Sequence, residues 1–310
     1  MKKFLSISTI IIVEFLILGV CFQKVMSLCG VSRENVEQAV SCTISEVQPI
    51  YETGVETITQ IADGIDTDTP YKTLNFDTRF YPYYGMLNER EQCLYKQIYY
   101  ATTNFKQEIV PCVNLSSDDA EKVMNAVMFD HPEIFWMGTG YQFTYSLNDI
   151  FTLLTFSYSF REEDCNAAKL QLEMVTSEIL NGAGNYATDL DKERYVHDYI
   201  IEHANYNGSN VFAGQNLYSA LVDGSTVCAG YSRAFQYIMT RLGIPTYYCV
   251  GISEGDHAWN IIKINGEYYN VDLTWDDTGE TTQYFNCSDQ EIASSHVRSG
   301  LSVQLPQCSV

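Results

Sequence analysis

The chain is short of positive charge. Its 18 lysines and arginines stand against 39 acidic residues, a formal net charge of −21, and such a surface repels nucleic acid and other polyanions. Cationic partners such as lysine-rich peptides would be admitted, although solubility alone accounts for the charge equally well. Motifs for metal and phosphate chemistry are also missing. No C-x-x-C and no H-E-x-x-H occurs, which argues against a zinc centre. No G-x-x-x-x-G-K-[ST] loop is present to cradle phosphates. No metal and no cofactor is therefore expected. There is no internal repeat and no low-complexity tract. What is left, 310 residues of which 46% are hydrophobic, suits one or two folded domains with a substantial core.

The N-terminus reads as a targeting segment. Met1-Lys2-Lys3 is basic, and residues 4–22 are almost wholly apolar, broken by Glu14. The run is long for a signal peptide and polar in its middle for a membrane span. Cleavage near Val25-Met26-Ser27 and an uncleaved membrane anchor both stay open for residues 1–27. Either places the protein outside the cell or at its surface. Of the ten cysteines, Cys21 lies in this run and Cys228 is treated below. The other eight are Cys29, Cys42, Cys93, Cys112, Cys165, Cys249, Cys287 and Cys308. An even number in an exported chain permits up to four disulfides. Several can equally be buried thiols, Cys249 among them, because it sits in the strand-like run T-Y-Y-C-V-G-I.

Residues 28–160 read as a small accessory α+β region that begins with a polar, acidic stretch over 28–69. A helix is expected over 89–100, a strand over 106–113, and a helix capped by Ser116-Ser117-Asp118-Asp119 and running to about 129. Strands are expected at 133–137, 141–145 and 151–160, with Gly138 and Gly140 in one turn and Asn148-Asp149 in another. Helices should follow at 162–181 and 189–204. The region can steer substrate, attach to a surface, or simply pack on the remainder, 161–310, which carries the chemistry.

That chemistry is concentrated between Ser225 and Asp277. Tyr231, Ala234, Phe235, Ile238 and Leu242 recur at helical spacing, so a helix should run from about Cys228 to Leu242. Gly243 and Pro245 would end it, and Ser225 and Thr226 are suitable caps at its start. Cys228 then lies in the first turn, where free N–H groups and the positive pole of the helix favour the thiolate. Gly224 and Gly230 allow close approach of backbone and substrate.

Residues 257–264 and 267–273 read as strands joined by Asn265-Gly266, a strong two-residue hairpin signal. In that register Ile264 faces Glu267, Trp259 faces Asp272 and His257 faces Thr274. His257, Trp259 and Asp272 share one face, with His257 and Asp272 as diagonal neighbours roughly 7–8 Å apart at the backbone. Ala258, Ile262, Ile264, Tyr269, Val271 and Leu273 make the opposite, core face, where Asn260 also falls. Asp272 can orient the imidazole, and His257 can take the Cys228 proton. The thiolate would attack an amide carbonyl, with the Cys228 N–H at the oxyanion.

The segments V-C-A-G-Y-S-R-A-F, G-I-P, H-A-W-N and Y-Y-N-V-D-L-T-W-D-D resemble the transglutaminase-like superfamily, in particular its bacterial members. Y-F-N-C-S-D-Q-E-I and V-H-D-Y-I-I-E-H-A-N-Y-N extend the resemblance over roughly 165–297. It implies an α+β, papain-like core in which a helix-borne cysteine packs on an antiparallel sheet. It also implies Cys228 as nucleophile, His257 as base and Asp272 as orienting acid, acting on a peptide or protein substrate. It leaves peptidase, amidase and transamidase activity open, together with a catalytically silent binding or surface-assembly role. A redox role for the cysteines is disfavoured by the missing C-x-x-C. Trp259 can wall an acyl or amine channel or serve packing, and Tyr218 can bring a phenol near the oxyanion or serve the core. Asp276 and Asp277 are expected in a turn, and His197 and His203 in structural or exposed positions.

Overall fold

The computed structural model describes residues 70–146, 150–209, 213–278 and 283–309. The expected targeting segment, the stretch 28–69, the Asn148-Asp149 turn, and Cys21, Cys29 and Cys42 lie outside these residues. The chain divides into two compact units between Asp68 and Thr69, and the second is described here. The expected division at 160/161 does not separate two cores. One hydrophobic cluster includes Leu94 and Phe151 from one side of it, and Phe235, Trp259 and Leu305 from the other.

A 3-10 turn at Pro70–Thr73 precedes α1 (Pro82–Gly85) and α2 (Glu89–Thr103). Asn88 starts α2 with a capping box: its side chain accepts from the Arg90 and Glu91 N–H groups, and Glu91 bonds back to the Asn88 N–H. These contacts satisfy donors that a helix start otherwise leaves unpaired. After β1 (Glu108–Ile109) comes α3 (Ser117–Asp130), capped by Ser116 as the serine–aspartate run indicated. Strands β2 (Met137–Tyr145) and β3 (Phe151–Tyr158) complete an antiparallel sheet of order β1-β3-β2. The strand expected at 133–137 is absent except for Met137. Ile134, Phe135 and Trp136 are buried in irregular backbone, so their apolarity marks burial and not pairing. Gly138 and Gly140 lie within β2, where the ladder slips between Met137 and Tyr141, instead of in a turn.

Helices α4 (Glu162–Ala183) and α5 (Asp189–His203) lead to β4 (Asn205–Tyr206), α6 (Leu217–Leu221) and β5 (Ser225–Thr226). Then follow α7 (Cys228–Arg241), β6 (Thr246–Ile252), β7 (Asp256–Ile264) and β8 (Glu267–Val271). The chain closes with α8 (Leu273–Thr278), α9 (Asp289–Ile292), β9 (Val297–Arg298) and a 3-10 turn at Gly300–Gln304. The last strands form a four-stranded antiparallel sheet of order β8-β7-β6-β9. This is the expected α+β architecture, a helix with a cysteine at its start lying on an antiparallel sheet. Among the described residues no helix is long and apolar enough to cross a membrane.

Helix α7 packs on β6 and β7. Tyr231, Ala234, Phe235 and Ile238 repeat at helical spacing and are fully buried. Each large side chain of this kind contributes about 1.5–3 kcal/mol by leaving water. Leu242 closes the helix, and Gly243 takes the left-handed conformation (φ 78°) that ends it.

Candidate active site

The hairpin forms in the expected register. Asn265 and Gly266 both have positive φ, 51° and 95°, which a two-residue hairpin turn requires. Ile264 pairs with Glu267 and Asn260 with Val271. Pairing stops there, because Asp272 leaves the sheet to start α8. Its Oδ1 accepts from the N–H groups of Thr274 (2.9 Å) and Trp275 (3.2 Å), the pattern of an N-cap aspartate. The expected strand to Leu273, with Thr274 opposite His257, is thus replaced by a helix start. That change frees Oδ2 to face the imidazole. His257 Nε2 lies 2.6 Å from it.

The Cys228 side chain lies near enough to this ring to contribute to raising its pKa. Burial pulls the His257 pKa down, but the bonds to Asp272 and Cys228 outweigh it and push the ring up to about 9. For Asp272, burial favours the neutral acid, and the hydrogen bonds from His257 and a second histidine, His296, overcome it to hold the carboxyl below its usual range. Such opposing contributions are what a buried, fully bonded carboxylate experiences.

His296 lies in no motif that the sequence shows. Its Nε2 is 2.9 Å from Asp272 Oδ2, and its Nδ1 is 2.8 Å from the Ser295 hydroxyl. It is buried among the rings of Trp259, Trp275 and Tyr284. Asp272 therefore receives four hydrogen bonds, two backbone and two imidazole. The His257 side of the sheet is not an open polar face, since Trp259 and Ile261 on it are as buried as Ala258 and Ile262 opposite. Trp259 does not wall an open channel. It lies stacked near His257 at 6.1 Å between ring centroids and donates from Nε1 to Asn270, so it supports the imidazole from within.

Cys228 is half-buried at the first position of α7. Ser225 and Thr226 do not cap this helix. The cap position is Val227, without a side-chain bond, and Thr226 is turned away to the Gly214 carbonyl. A helix start leaves N–H groups without an intrahelical partner; here Gly230 donates to the Val227 carbonyl, and the Val227 cap makes no side-chain bond to the others. Gly230 is required for this arrangement, because a Cβ there would lie 1.8 Å from Thr226 Oγ1 and 2.8 Å from the Gly214 carbonyl.

The other residues read from the sequence fall elsewhere. Tyr218 donates to Gln171 and stacks on Phe135, so the structure does not bring its hydroxyl to Cys228. Asn260 joins helix to sheet by donating to the Ser232 and Tyr247 carbonyls. Asp276 and Asp277 belong to α8 and not to a turn. Asp276 meets His197 Nε2 at 3.0 Å, and Asp277 accepts from Tyr231 at 2.5 Å. His203 stacks on Tyr199 at the surface.

The disulfides expected among eight cysteines do not occur among the described ones. Cys93, Cys112, Cys165, Cys249, Cys287 and Cys308 are not joined in disulfides, although the Cys93 and Cys112 sulfurs lie 2.9 Å apart. Burial accounts for the last four and pushes Cys287 to about 11 and Cys308 to about 12, values that suit inert thiols. Among the described residues, His257, Asp272 and His296 are the one group whose side chains fall close enough to share a metal ion, within 4.8 Å. Their nitrogen–oxygen separations of 2.6 and 2.9 Å are those of hydrogen bonds.

Known proteins resemble the region that holds this site. Residues 175–273 match the sequence model of the transglutaminase-like superfamily. The human kyphoscoliosis peptidase is 27% identical over 128 residues, covering 35% of this chain and 18% of that protein. The chain therefore spans under a fifth of the curated relative it matches. The crystal structure of a TGase covers 54% of this chain and 50% of its own at 15% identity, with a TM-score of 0.32. A "Putative Cysteine Protease from Cytophaga hutchinsonii" covers 51% and 65% at 11% identity, with a TM-score of 0.33. The transglutaminase-like family match is confined to residues 175–273, the segment that carries Cys228, His257 and Asp272.

Proposed function

We propose that this protein is a thiol enzyme that forms an acyl-thioester on Cys228 from a peptide-type amide. One observation carries the reading: a single imidazole meets the buried carboxylate of Asp272 with Nε2 at 2.6 Å and has the Cys228 side chain as a neighbour. Each group then has a role. Asp272 holds the ring and stabilises its charged form. His257, charged through the neutral range, stands beside the sulfur as the partner of a thiolate. The sulfur attacks the amide carbonyl carbon, and the C=O electron pair moves onto oxygen. The uncapped first turn of α7 offers N–H groups to that oxyanion, the Cys228 N–H first. His257 gives its proton to the leaving amine as the C–N bond breaks. Water, deprotonated by His257, then cleaves the thioester to an acid, or an amine replaces the water and forms a new amide.

We further propose hydrolysis, or acyl transfer confined to the cell envelope, in preference to broad protein cross-linking. The basic and apolar N-terminal segment motivates the location. Labelling with iodoacetamide at neutral pH tests the central reading. Cys228 should react faster than an ordinary exposed thiol, and His257→Ala should remove the excess. Ordinary reactivity would favour a silent binding protein on the same scaffold. A glutamine peptide offered with a labelled amine separates the two outcomes of the thioester, and robust amine incorporation without hydrolysis would overturn the preference for water.

A further inference from the structure

Cys93 and Cys112 stand 19 positions apart in the chain, yet their sulfurs lie 2.9 Å from each other. Of the described cysteines they are the pair brought into sulfur contact. No short motif announces them, and the fold makes the pair. Cys93 lies in the second turn of α2, and Cys112 follows β1. Gln97, one helical turn beyond Cys93 and on the same face, grips the segment after β1 with both ends of its amide. Its Nε2 donates to the Val110 carbonyl and its Oε1 accepts from the Cys112 N–H, each at 2.8 Å. Pro111, between those two contacts, has a fixed φ. The Cys112 backbone is thereby held against the face of α2 that carries Cys93.

The two sulfurs are not equivalent. The contact with Cys93, and then burial, push the Cys112 thiol well above its ordinary range. Cys112 therefore keeps its proton and is the donor in the S–H···S contact, with the Cys93 sulfur as acceptor. Cys93 is also a wall of a cavity of about 260 Å³ that Tyr71, Gln92 and Lys96 line with it, and Cys112 is not among those walls. A small molecule in that cavity meets Cys93 first. A disulfide bond is about 2.0 Å long, so the sulfurs need to close by about 0.9 Å, a movement open to two half-buried side chains.

We propose that Cys93 and Cys112 are a redox modification site that closes to a disulfide by exchange with a low-molecular-weight disulfide entering through this cavity. The site is independent of the role of Cys228. Cys93 loses its proton to water and attacks one sulfur of the small disulfide. That S–S bond breaks, and its electron pair leaves on the other half, which takes up a proton as a thiol. Cys112 then gives up its proton and attacks the Cys93 sulfur of the mixed disulfide, releasing the second small thiol. Two electrons pass from the protein to the reagent, and one S–S bond is exchanged for another. The bridge ties α2 to the segment leading into α3, and Leu94 and Leu115 near its two ends belong to the core. Closing such a loop restricts the unfolded chain and so stabilises the fold.

The test uses the full chain, reduced and then incubated, still folded, with oxidised glutathione at neutral pH. Remaining thiols are alkylated and the digest is mapped by mass spectrometry. The Cys93 and Cys112 peptides should appear joined and short of two hydrogens. The melting temperature should rise by about 6–12 °C over that of the reduced chain, and dithiothreitol should reverse both changes. Cys112→Ser should trap glutathione on Cys93, and Cys93→Ser should leave Cys112 unmodified over the same time, with the rise in melting temperature lost in both. Recovery of Cys93 and Cys112 from the native chain as separate alkylated thiols would overturn the site, with no variant needed. A lasting glutathione adduct on Cys93 of the native chain would overturn it as well, because Cys112 would then fail to resolve it. Uptake of glutathione by Cys112 in Cys93→Ser, as fast as by Cys93 in Cys112→Ser, would overturn entry through the cavity.

Discussion

Among the histidine–aspartate pairs buried in the described residues, His257–Asp272 and His197–Asp276 differ in their surroundings: only the first lies beside a cysteine. His257 meets Asp272 at 2.6 Å, and His197 meets Asp276 at 3.0 Å, in both cases Nε2 to Oδ2. The difference lies at the other ring nitrogen. In His197 it is taken by Asp198, and the ring is wholly enclosed. His257 instead has the Cys228 side chain as a neighbour, and 7% of its own side chain stays accessible. One pair ties α5 to α8. The other, made of the same two groups, is open on the side where a thiol waits. Chemistry here depends less on having a histidine–carboxylate bond than on what the second nitrogen is free to do.

Exchanging the pairs' fates by mutation tests that contrast. The largest effect is expected from Cys228→Ser and His257→Ala, which should lower turnover of a cleaved peptide by about 1,000-fold or more. His197→Ala should leave Cys228 alkylation at the native rate and instead lower stability by about 3–5 kcal/mol, since it strands a buried carboxylate. Urea denaturation read beside labelling shows both, and slow labelling in His197→Ala would collapse the distinction. Next come the acids. Asp272→Asn should cost about 100-fold to 10,000-fold in rate by mis-setting the imidazole, with a stability loss of about 1 kcal/mol for the weakened cap of α8. Asp276→Asn should touch stability alone.

A pH series sharpens the comparison. His257 is raised from 6.5 to about 9, so its bonds stabilise the folded state fully below its ordinary value and are lost as pH rises through about 9. Melting temperature should therefore fall between about pH 6.5 and 9 in the native protein, and less so in His257→Gln. Turnover should decline over the same upper limb as the ring loses its proton. Asp272, held below its ordinary range, retains its stabilising effect above the usual carboxylate value and loses it only as pH falls through its lowered pKa. A smaller change is expected of His296→Phe, which keeps a ring in the aromatic enclosure and drops one donor to Asp272. About tenfold in the rate constant for turnover, with the substrate's KM unchanged, would mark it as a positioning residue. Rescue by His296→Gln, which restores an N–H donor, would separate that role from packing.

Local chemistry made half of the site legible. Asn265-Gly266 accepts positive φ twice, so it set the hairpin and with it the 264–267 pairing. The run from Tyr231 to Ile238 repeats at helical spacing, so it placed Cys228 at a helix start. Other features depend on what the chain meets from afar. Ser225 and Thr226 have the chemistry of caps, yet the Gly214 loop claims Thr226. Asp272 continues a strand pattern, yet it caps a helix. His296 follows Asp272 by 24 residues and reaches its carboxylate through a fold-back.

The sequence alone determined that a cysteine, a histidine and an aspartate would stand on a helix start and a hairpin, because periodicity and turn propensity act over a few neighbouring residues. Tertiary structure alone decided which histidines share Asp272 and which helix start stays uncapped. Those outcomes are settled by burial and hydrogen-bond competition among groups far apart along the chain.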